Sequence, residues 1–506
     1  MAYLLDWTGF PLADVGIAAV CAMTNKRGPS ELTFEDLDQA AREMRAVYFG
    51  GAWISYLTCV FPNSEYVQPG DPVKKAAVRQ AYFERVLMAH RSVPDAEAAG
   101  LKCLLSGEAA THLINRVQLP LITGEGVLNF FPNATGGFPI AGQYLTALQA
   151  LPFGGRRAEG RLLIVHADSP SLTLLFARKY VEDNRRLIHL GGAAFDFDGL
   201  SPELSREQGK KGKMPQVRWW RTLVASDLGQ AIGGQPPDEQ SGVFGSLSVL
   251  WLSNSGQGAS VDIIDVPGRL VRLLKRLAFA DVKASWDRIV HKGWRRDKGK
   301  DKAEPQPPVE AGAGRSRNAA MEDLFAIYAS GILDLVAARR FVRKHLLGGS
   351  RKDQGPLPVD WTVVGIILEE LFGMSSKRIE AIKDFAERLV ESVRRSGRYR
   401  LILNLTRAKR SWEFRNTLIK ELRRDAITND DLLFTLESYV DIFESDSASG
   451  IADWGLTRDL LIIRLFQRCH ELKIDLKPIA SDLVEVLDEA EADEDSELVA
   501  VSRDEE

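Results

Sequence analysis

Apolar and polar positions change their period along the chain. From Ser30 to Ala46 acidic residues come early and arginines late, the order a helix dipole favours, so a helix is expected there. Lys74–His90 reads as a second helix. Leu162–His166 is a short apolar run bounded by charges and by Ser169-Pro170, the form of an interior strand. Leu247–Leu252 places Leu247, Val249 and Trp251 on one face at a period of two, and Ile263–Val266 follows as a further strand. Strands and helices do not alternate regularly enough for a parallel, doubly wound sheet.

Residues 293–318 break this pattern. They hold Pro305, Pro307, Pro308, several glycines and many charges, with little that could build a core, so a linker is expected. Beyond it the period becomes helical. Ile379, Ile382, Phe385, Leu389 and Val393 recur at spacings of three and four, Arg394 and Arg395 close the last turn, and Gly397 is a suitable stop. Trp412–Asp425 and Leu456–Leu472 carry similar stripes, while Tyr399–Leu405 is ambiguous between strand and helix. The expected fold is α+β: a mixed α/β body over 1–292, the linker over 293–318, a helical bundle over 319–481 and a tail over 482–506.

At 506 residues and 45% apolar composition the chain is large enough for more than one core, which excludes a disordered chain or a small disulfide scaffold. Cys21, Cys59, Cys103 and Cys469 lie far apart with no CxxC pair, so buried reduced thiols in a cytoplasmic protein are expected. Val15–Met23 is too short to span a bilayer, and Asp6 and Asp14 stand where a signal peptide needs positive charge, so the N-terminus is expected to belong to the fold.

A formal charge of −4 conceals segregation. The stretch from Asp482 to Glu506 carries twelve acidic residues against Arg503 alone, which leaves +7 on residues 1–481. Arg269–Arg317 is net +8 and Lys377–Arg424 net +9, and Lys210, Lys211, Lys213, Arg218 and Arg221 surround Trp219 and Trp220. Any one cluster is explained by a solvated helix face. Three of them outside a segregated acidic tail point to a polyanion, because each neutralised phosphate releases counterions.

Reactive constellations are sparse. The sequence has no GxxxxGK[ST] loop, no HExxH and no GxSxG, and its seven histidines never pair at metal-ligand spacing. His166 and Asp168 flank Ala167 at a strand end, which reads as a structural pair. Asp196 and Asp198 open like a calcium loop but lack the closing glutamate, so they read as a turn. No catalytic residue, metal ligand or cofactor is expected. The alternatives are a metal-dependent nucleic-acid-processing enzyme using Asp196, Asp198 or His166, and a protein-only scaffold with solvated basic faces.

Two stretches, WTGFPLADVGIAAV (Trp7–Val20) and VLNFFPNATGGFPIAGQY (Val127–Tyr144), resemble segments of the large subunits of type I CRISPR effector complexes (Cascade), of the I-B and related I-A branches. Together they cover about thirty residues, and the layout of body, linker and helical bundle extends the likeness. Some relatives carry paired CxxC motifs, which this sequence lacks, so no zinc site is carried over. The resemblance implies a cytoplasmic, non-catalytic subunit of a crRNA-guided complex. Such a subunit recognises a protospacer-adjacent motif (PAM) in duplex DNA, helps to start unwinding, and stabilises the displaced strand through a bundle like the small subunit. It implies as partners the crRNA-bearing backbone and crRNA-end subunits, small-subunit copies, and a recruited helicase-nuclease or transposition protein, with no membrane. Met321, just after the linker, is placed where an internal start would yield a separate small subunit.

Particular residues fit that role. Asn129, Asn133, Thr135 and Gly136 form a polar, glycine-containing loop after Phe130, suited to reading groove edges and wedging a base step. A core-packed Phe130–Phe131 pair followed by an Asn-Gly turn explains the same residues. Gln143 and Asn254 are further candidates for these contacts. Lys210, Lys211, Lys213, Arg218 and Arg221 suit backbone phosphates, with Trp219 and Trp220 as stacking residues or core anchors. Arg394, Arg395, Arg398, Arg400, Arg407, Lys409 and Arg410 are the candidates for tracking a displaced strand.

Overall fold

The computed structural model describes residues 4–71, 73–121, 137–191, 220–233, 245–254, 259–296, 316–328, 333–346, 361–408, 410–428, 432–443, 454–479 and 482. The chain divides into two units, Met1–Asp334 and Leu335–Glu506.

Unit 1 is built around helix α1 (Pro11–Met23), which opens on a proline that suits a first helical turn and is buried on every side from Leu12 to Cys21. A helix apolar all round needs neighbours all round. Helix α2 (Phe34–Tyr48) supplies one of them. It begins later than the charge order suggests, because Thr33 and Asp36 form a reciprocal capping box and Pro29–Glu31 is a separate 3₁₀ turn. Helices α3 (Ile54–Val60) and α4 (Ala76–Tyr82) follow, the latter continuing as a π-helical turn over Phe83–Leu87. Strands β1 (His112–Ile114) and β2 (Phe138–Ile140) pair antiparallel. Helices α5 (Gly142–Gln149), α6 (Leu151–Gly154) and α7 (Pro170–Gly191) then close around α1.

The main sheet is antiparallel, in the order β3 (Arg156–Ala158), β4 (Arg161–Ala167), β5 (Leu247–Ser253) and β6 (Ser260–Val266). The strands expected over 162–166, 247–252 and 263–266 are all present. In β5 the residues between Val249 and Leu252 are buried irrespective of parity, so both faces are covered, whereas β6 is exposed except at its end. Helix α8 (Trp220–Gly233) contributes Asp227, 1% exposed, which accepts two hydrogen bonds from Arg156 Nη1 (3.0 and 2.8 Å) and one from the Tyr180 hydroxyl (3.3 Å). Lys179 lies 3.5 Å from the same carboxylate. This charge network ties β3, α7 and α8 together, and its buried partners leave no member uncompensated.

Of the linker expected over 293–318, residues 297–315 lie outside the described residues, and its two ends belong to unit 1. After helices α9 (Gly268–Leu277) and α10 (Ala280–Gly293), strand β7 (Trp294–Arg296) pairs antiparallel with β8 (Ser316–Asn318). Asn318 is fully buried; its amide oxygen caps helix α11 (Ala319–Ala326) and its amide nitrogen donates to Val290 O at 2.8 Å. Glu322 of α11 accepts from Thr222 at 2.8 Å, and α11 packs on α8 and α10. The expected linker therefore starts and ends inside one unit, and the boundary falls after Asp334 rather than after residue 318. Met321 is buried within unit 1, so a product starting there would carry α11 away from its packing partners.

Unit 2 is helical: α12 (Leu335–Phe341), α13 (Trp361–Phe372), α14 (Ser376–Ser396), α15 (Arg400–Arg407), α16 (Ser411–Thr428), α17 (Leu436–Phe443) and α18 (Trp454–Glu471). In α14 the stripe Ile379–Ile382–Phe385–Leu389–Val393 is buried against α17 and α18. Ser375 caps its start, and Gly397 ends it at φ +69°, the left-handed conformation that glycine adopts without a Cβ penalty. The ambiguous Tyr399–Leu405 stretch is the helix α15. The whole is a mixed α+β fold with many helices. Among the described residues, no helix is long and apolar enough to cross a membrane, and all four cysteines are buried free thiols.

Candidate nucleic-acid interface

Helices α1 and α5, into which the two resembling stretches run, pack on each other in the core of unit 1. Gly16 of α1 faces α5 so closely that an added Cβ would strike the Ala147 carbonyl, at 2.9 Å from its carbon. Gly142 seats the start of α5 against the Ala89 carbonyl in the same way. The Tyr144 hydroxyl accepts from Asp6 N at 3.1 Å. These positions are a packing joint.

Asp14 completes that joint. It is 3% exposed and accepts from Thr8 N (2.7 Å), Thr8 Oγ1 (2.8 Å), Gly9 N (3.0 Å) and His166 Nε2 (3.1 Å). Burial alone would raise the carboxyl, but the hydrogen bonds from His166 and Thr8 outweigh it and hold Asp14 below the usual carboxylate value. His166 is thus paired with Asp14 across the sheet edge, and not with Asp168, whose carboxylate instead accepts from the Ser246 hydroxyl. Sequence reading missed Asp14, although a carboxylate inside an otherwise apolar helix signals a buried partner.

Asn254 is also engaged within the fold. Its side-chain oxygen accepts from Leu121 N at 2.8 Å, its nitrogen donates to Val60 O at 3.1 Å, and its backbone N–H donates to Cys59 O at 2.8 Å. The amide proposed to read a base is thereby occupied in holding the chain at Leu121, which sits at φ +68°. Leu121 immediately precedes residues 122–136, and the ladder of Phe138–Ile140 with β1 fixes the chain just after them. Both ends of the stretch containing Asn129, Phe130, Asn133, Thr135 and Gly136 are anchored, while those five residues lie outside the described residues. Gln143, half-buried on α5, donates to Glu108 at 3.0 Å.

Of the phosphate-gripping cluster, Arg221 is exposed on α8, and Lys210, Lys211, Lys213 and Arg218 lie outside the described residues, as do Trp219, Asp196, Asp198 and Lys409. In unit 2 the expected arginines separate into two groups. Arg398 is drawn inward: it bonds Glu421 at 2.9 Å and the buried Asp425 at 3.4 Å, which raise its pKa against the opposing effect of burial. It locks the start of α15 to α16. Arg394, Arg395, Arg400, Arg407 and Arg410 are exposed. Arg394 and Arg395 flank Glu391 at 3.5 and 3.8 Å, surface pairs too weak to withhold either guanidinium from a phosphate.

No protein-family model, no curated protein and no solved structure matches this chain.

Helix α16 adds residues that the sequence reading passed over. Trp412 is 49% exposed, and Arg415, Lys420 and Arg423 are exposed on the same helix. A tryptophan two positions off the buried stripe of Phe414 and Leu418 was the available signal. Among the described residues, no group of three or more His, Cys, Asp or Glu side chains is arranged to hold a metal ion.

Proposed function

We propose that this protein is a non-catalytic DNA-binding subunit of a crRNA-guided type I CRISPR surveillance complex, working in the cytoplasm. In this reading it recognises a PAM in duplex DNA through the stretch around Asn129–Gly136, helps to initiate unwinding, and stabilises the displaced strand along unit 2. The observation that carries the reading is the run of exposed arginines at 394, 395, 400, 407 and 410 in unit 2. An exposed cationic surface attracts a polyanion and releases counterions when it binds one. The anchoring of residues 121 and 138 gives a groove-reading segment between them a fixed base.

The test is binding of the purified chain to duplexes with a randomised trinucleotide, over a salt series, with and without Mg²⁺. Enrichment of a few trinucleotides, a log–log salt slope of about −0.9 per phosphate contacted and intact DNA are expected. Asn133→Ala shifts the preferred trinucleotide, whereas Lys211→Ala weakens binding to all sequences and flattens the slope. Mg²⁺-dependent cleavage would transfer support to a nucleic-acid-processing enzyme. No binding at low salt would return the basic clusters to solvated surface and leave a protein scaffold.

A further inference from the structure

Unit 2 contains a pocket of about 120 Å³ whose walls are the rings of Phe414, Tyr439, Phe443 and Trp454. The rings are held edge-to-face and tilted: Phe414 and Trp454 are 5.1 Å apart at 70°, Tyr439 and Phe443 4.8 Å apart at 40°. The rings pack on one another at ordinary aromatic distances and leave a recess beside them between α16, α17 and α18. Ser411 and Arg415 lie at its rim, both exposed.

The charge around this recess is one-sided. Arg410, Arg415, Lys420 and Arg423 have no carboxylate partner among the described residues, in contrast to Lys377, Lys383, Arg458, Arg464 and Arg468 elsewhere in the unit. Trp412 stands between Arg410 and Arg415, half in solvent and without a ring neighbour among the described residues. On a helical repeat Trp412, Asn416 and Arg423 share one stripe. An exposed indole, an aromatic recess and unpaired guanidinium groups along one helix match the two requirements of a single strand. Its bases need π-faces, and its backbone needs positive charge at intervals.

We infer that the recess receives one unpaired base of a single-stranded nucleic acid, with Trp412 stacking an adjacent base and Arg410 and Arg415 holding the intervening phosphates. The inference rests on the nucleic-acid reading above and adds a base-stacking subsite to the displaced-strand surface. A double helix cannot use it, because paired bases do not present their faces.

The test uses the full chain and two fluorescent probes, a short oligodeoxythymidine and an abasic oligomer of the same length. The thymidine oligomer is expected to bind roughly tenfold more tightly than the abasic one. Trp412→Ala, at a surface position that leaves the fold intact, removes most of that difference and leaves abasic binding unchanged. Trp412→Phe restores part of it. Arg415→Ala weakens both probes equally and reduces the salt slope by about one ion. Equal affinity for both probes in the wild type, with duplex binding retained, would overturn the subsite while leaving the proposed function standing. Absence of binding to any nucleic acid would overturn both. A Trp412→Ala protein that binds thymidine normally but loses self-association in sedimentation would assign this face to a second copy of the chain instead.

Discussion

Replacing Gly16 by alanine adds a single methyl group to a helix buried on all sides, and the geometry fixes the sign of the effect. The new Cβ would lie 2.9 Å from the Ala147 carbonyl carbon and 3.2 Å from Leu148 Cα, where ordinary contact begins near 3.4 Å. Both obstacles are backbone, so α1 and α5 must separate by at least half an ångström. The α1 helix also touches α7, α6 and β4, and it cannot shift without loosening those contacts. Overpacking against an unyielding neighbour costs about 3 kcal/mol. The better helix propensity of alanine offsets about 1 kcal/mol, leaving about 2 kcal/mol of net destabilisation. Gly365, inside α13, is the control: nothing lies within 4 Å of a Cβ there, so the same substitution stabilises by roughly 0.5–1 kcal/mol. Because the chain has two units, a single melting curve would mix them. Hydrogen exchange followed by mass spectrometry reads peptides from α1 and α13 separately. Gly16→Ala should speed exchange in α1 about 30-fold, and Gly365→Ala should slow it in α13 a few-fold. If both substitutions left α1 and α13 unchanged, or if Gly16→Ala stabilised α1, the close helix crossing would be refuted.

Two further perturbations test other parts of unit 1. Asp227→Ala leaves the buried Arg156 and the adjacent Lys179 without their shared counter-charge, so unit 1 should lose about 3–5 kcal/mol in denaturant unfolding. The Arg156→Met/Asp227→Leu pair should lose much less, and equal losses would argue against the network. Burial lowers the pKa of His90 against the opposing bond to Asp38, and lowers that of His112 against the nearby Asp95 charge. Folding therefore favours the neutral rings, and their stabilising contribution is complete above the unfolded value near 6.5 and declines as pH falls below it. Unfolding midpoints at pH 7.5 and 5.5 should differ in the wild type and differ less in a His90→Gln/His112→Gln variant; an undiminished difference would assign the effect to other groups.

Local chemistry made much of the fold legible. Leu162–His166 could be recognised because a short apolar run between charges suits an interior strand, Leu247–Leu252 showed itself through its period of two, and α14 through its stripe, its terminal arginines and Gly397. The boundary between the units was not legible for a physical reason. Proline, glycine and charge describe how residues 293–318 lack a core of their own, but the bonds of Asn318 to Val290 and of Glu322 to Thr222 join residues distant in sequence. The candidate site shows the same limit. Polar type alone does not distinguish an amide or guanidinium that faces a ligand from one engaged internally, and Asn254 and Arg398 belong to the second kind. His166 was read as a structural pair with Asp168, whereas its partner is Asp14, 152 positions away.

The pairing of β7 with β8 changes what residues 297–315 are in mechanical terms. A tether transmits its length to whatever it joins, so lengthening it moves one domain relative to another. A span whose two ends are stitched into the same ladder transmits nothing: Arg296 and Ser316 stay partnered however many residues separate them. Closure entropy grows only with the logarithm of length, about 0.6 kcal/mol for each doubling. Lengthening the chain between Arg296 and Ser316 is therefore expected to leave this ladder in place, and with it the packing of α11 on α8 and α10.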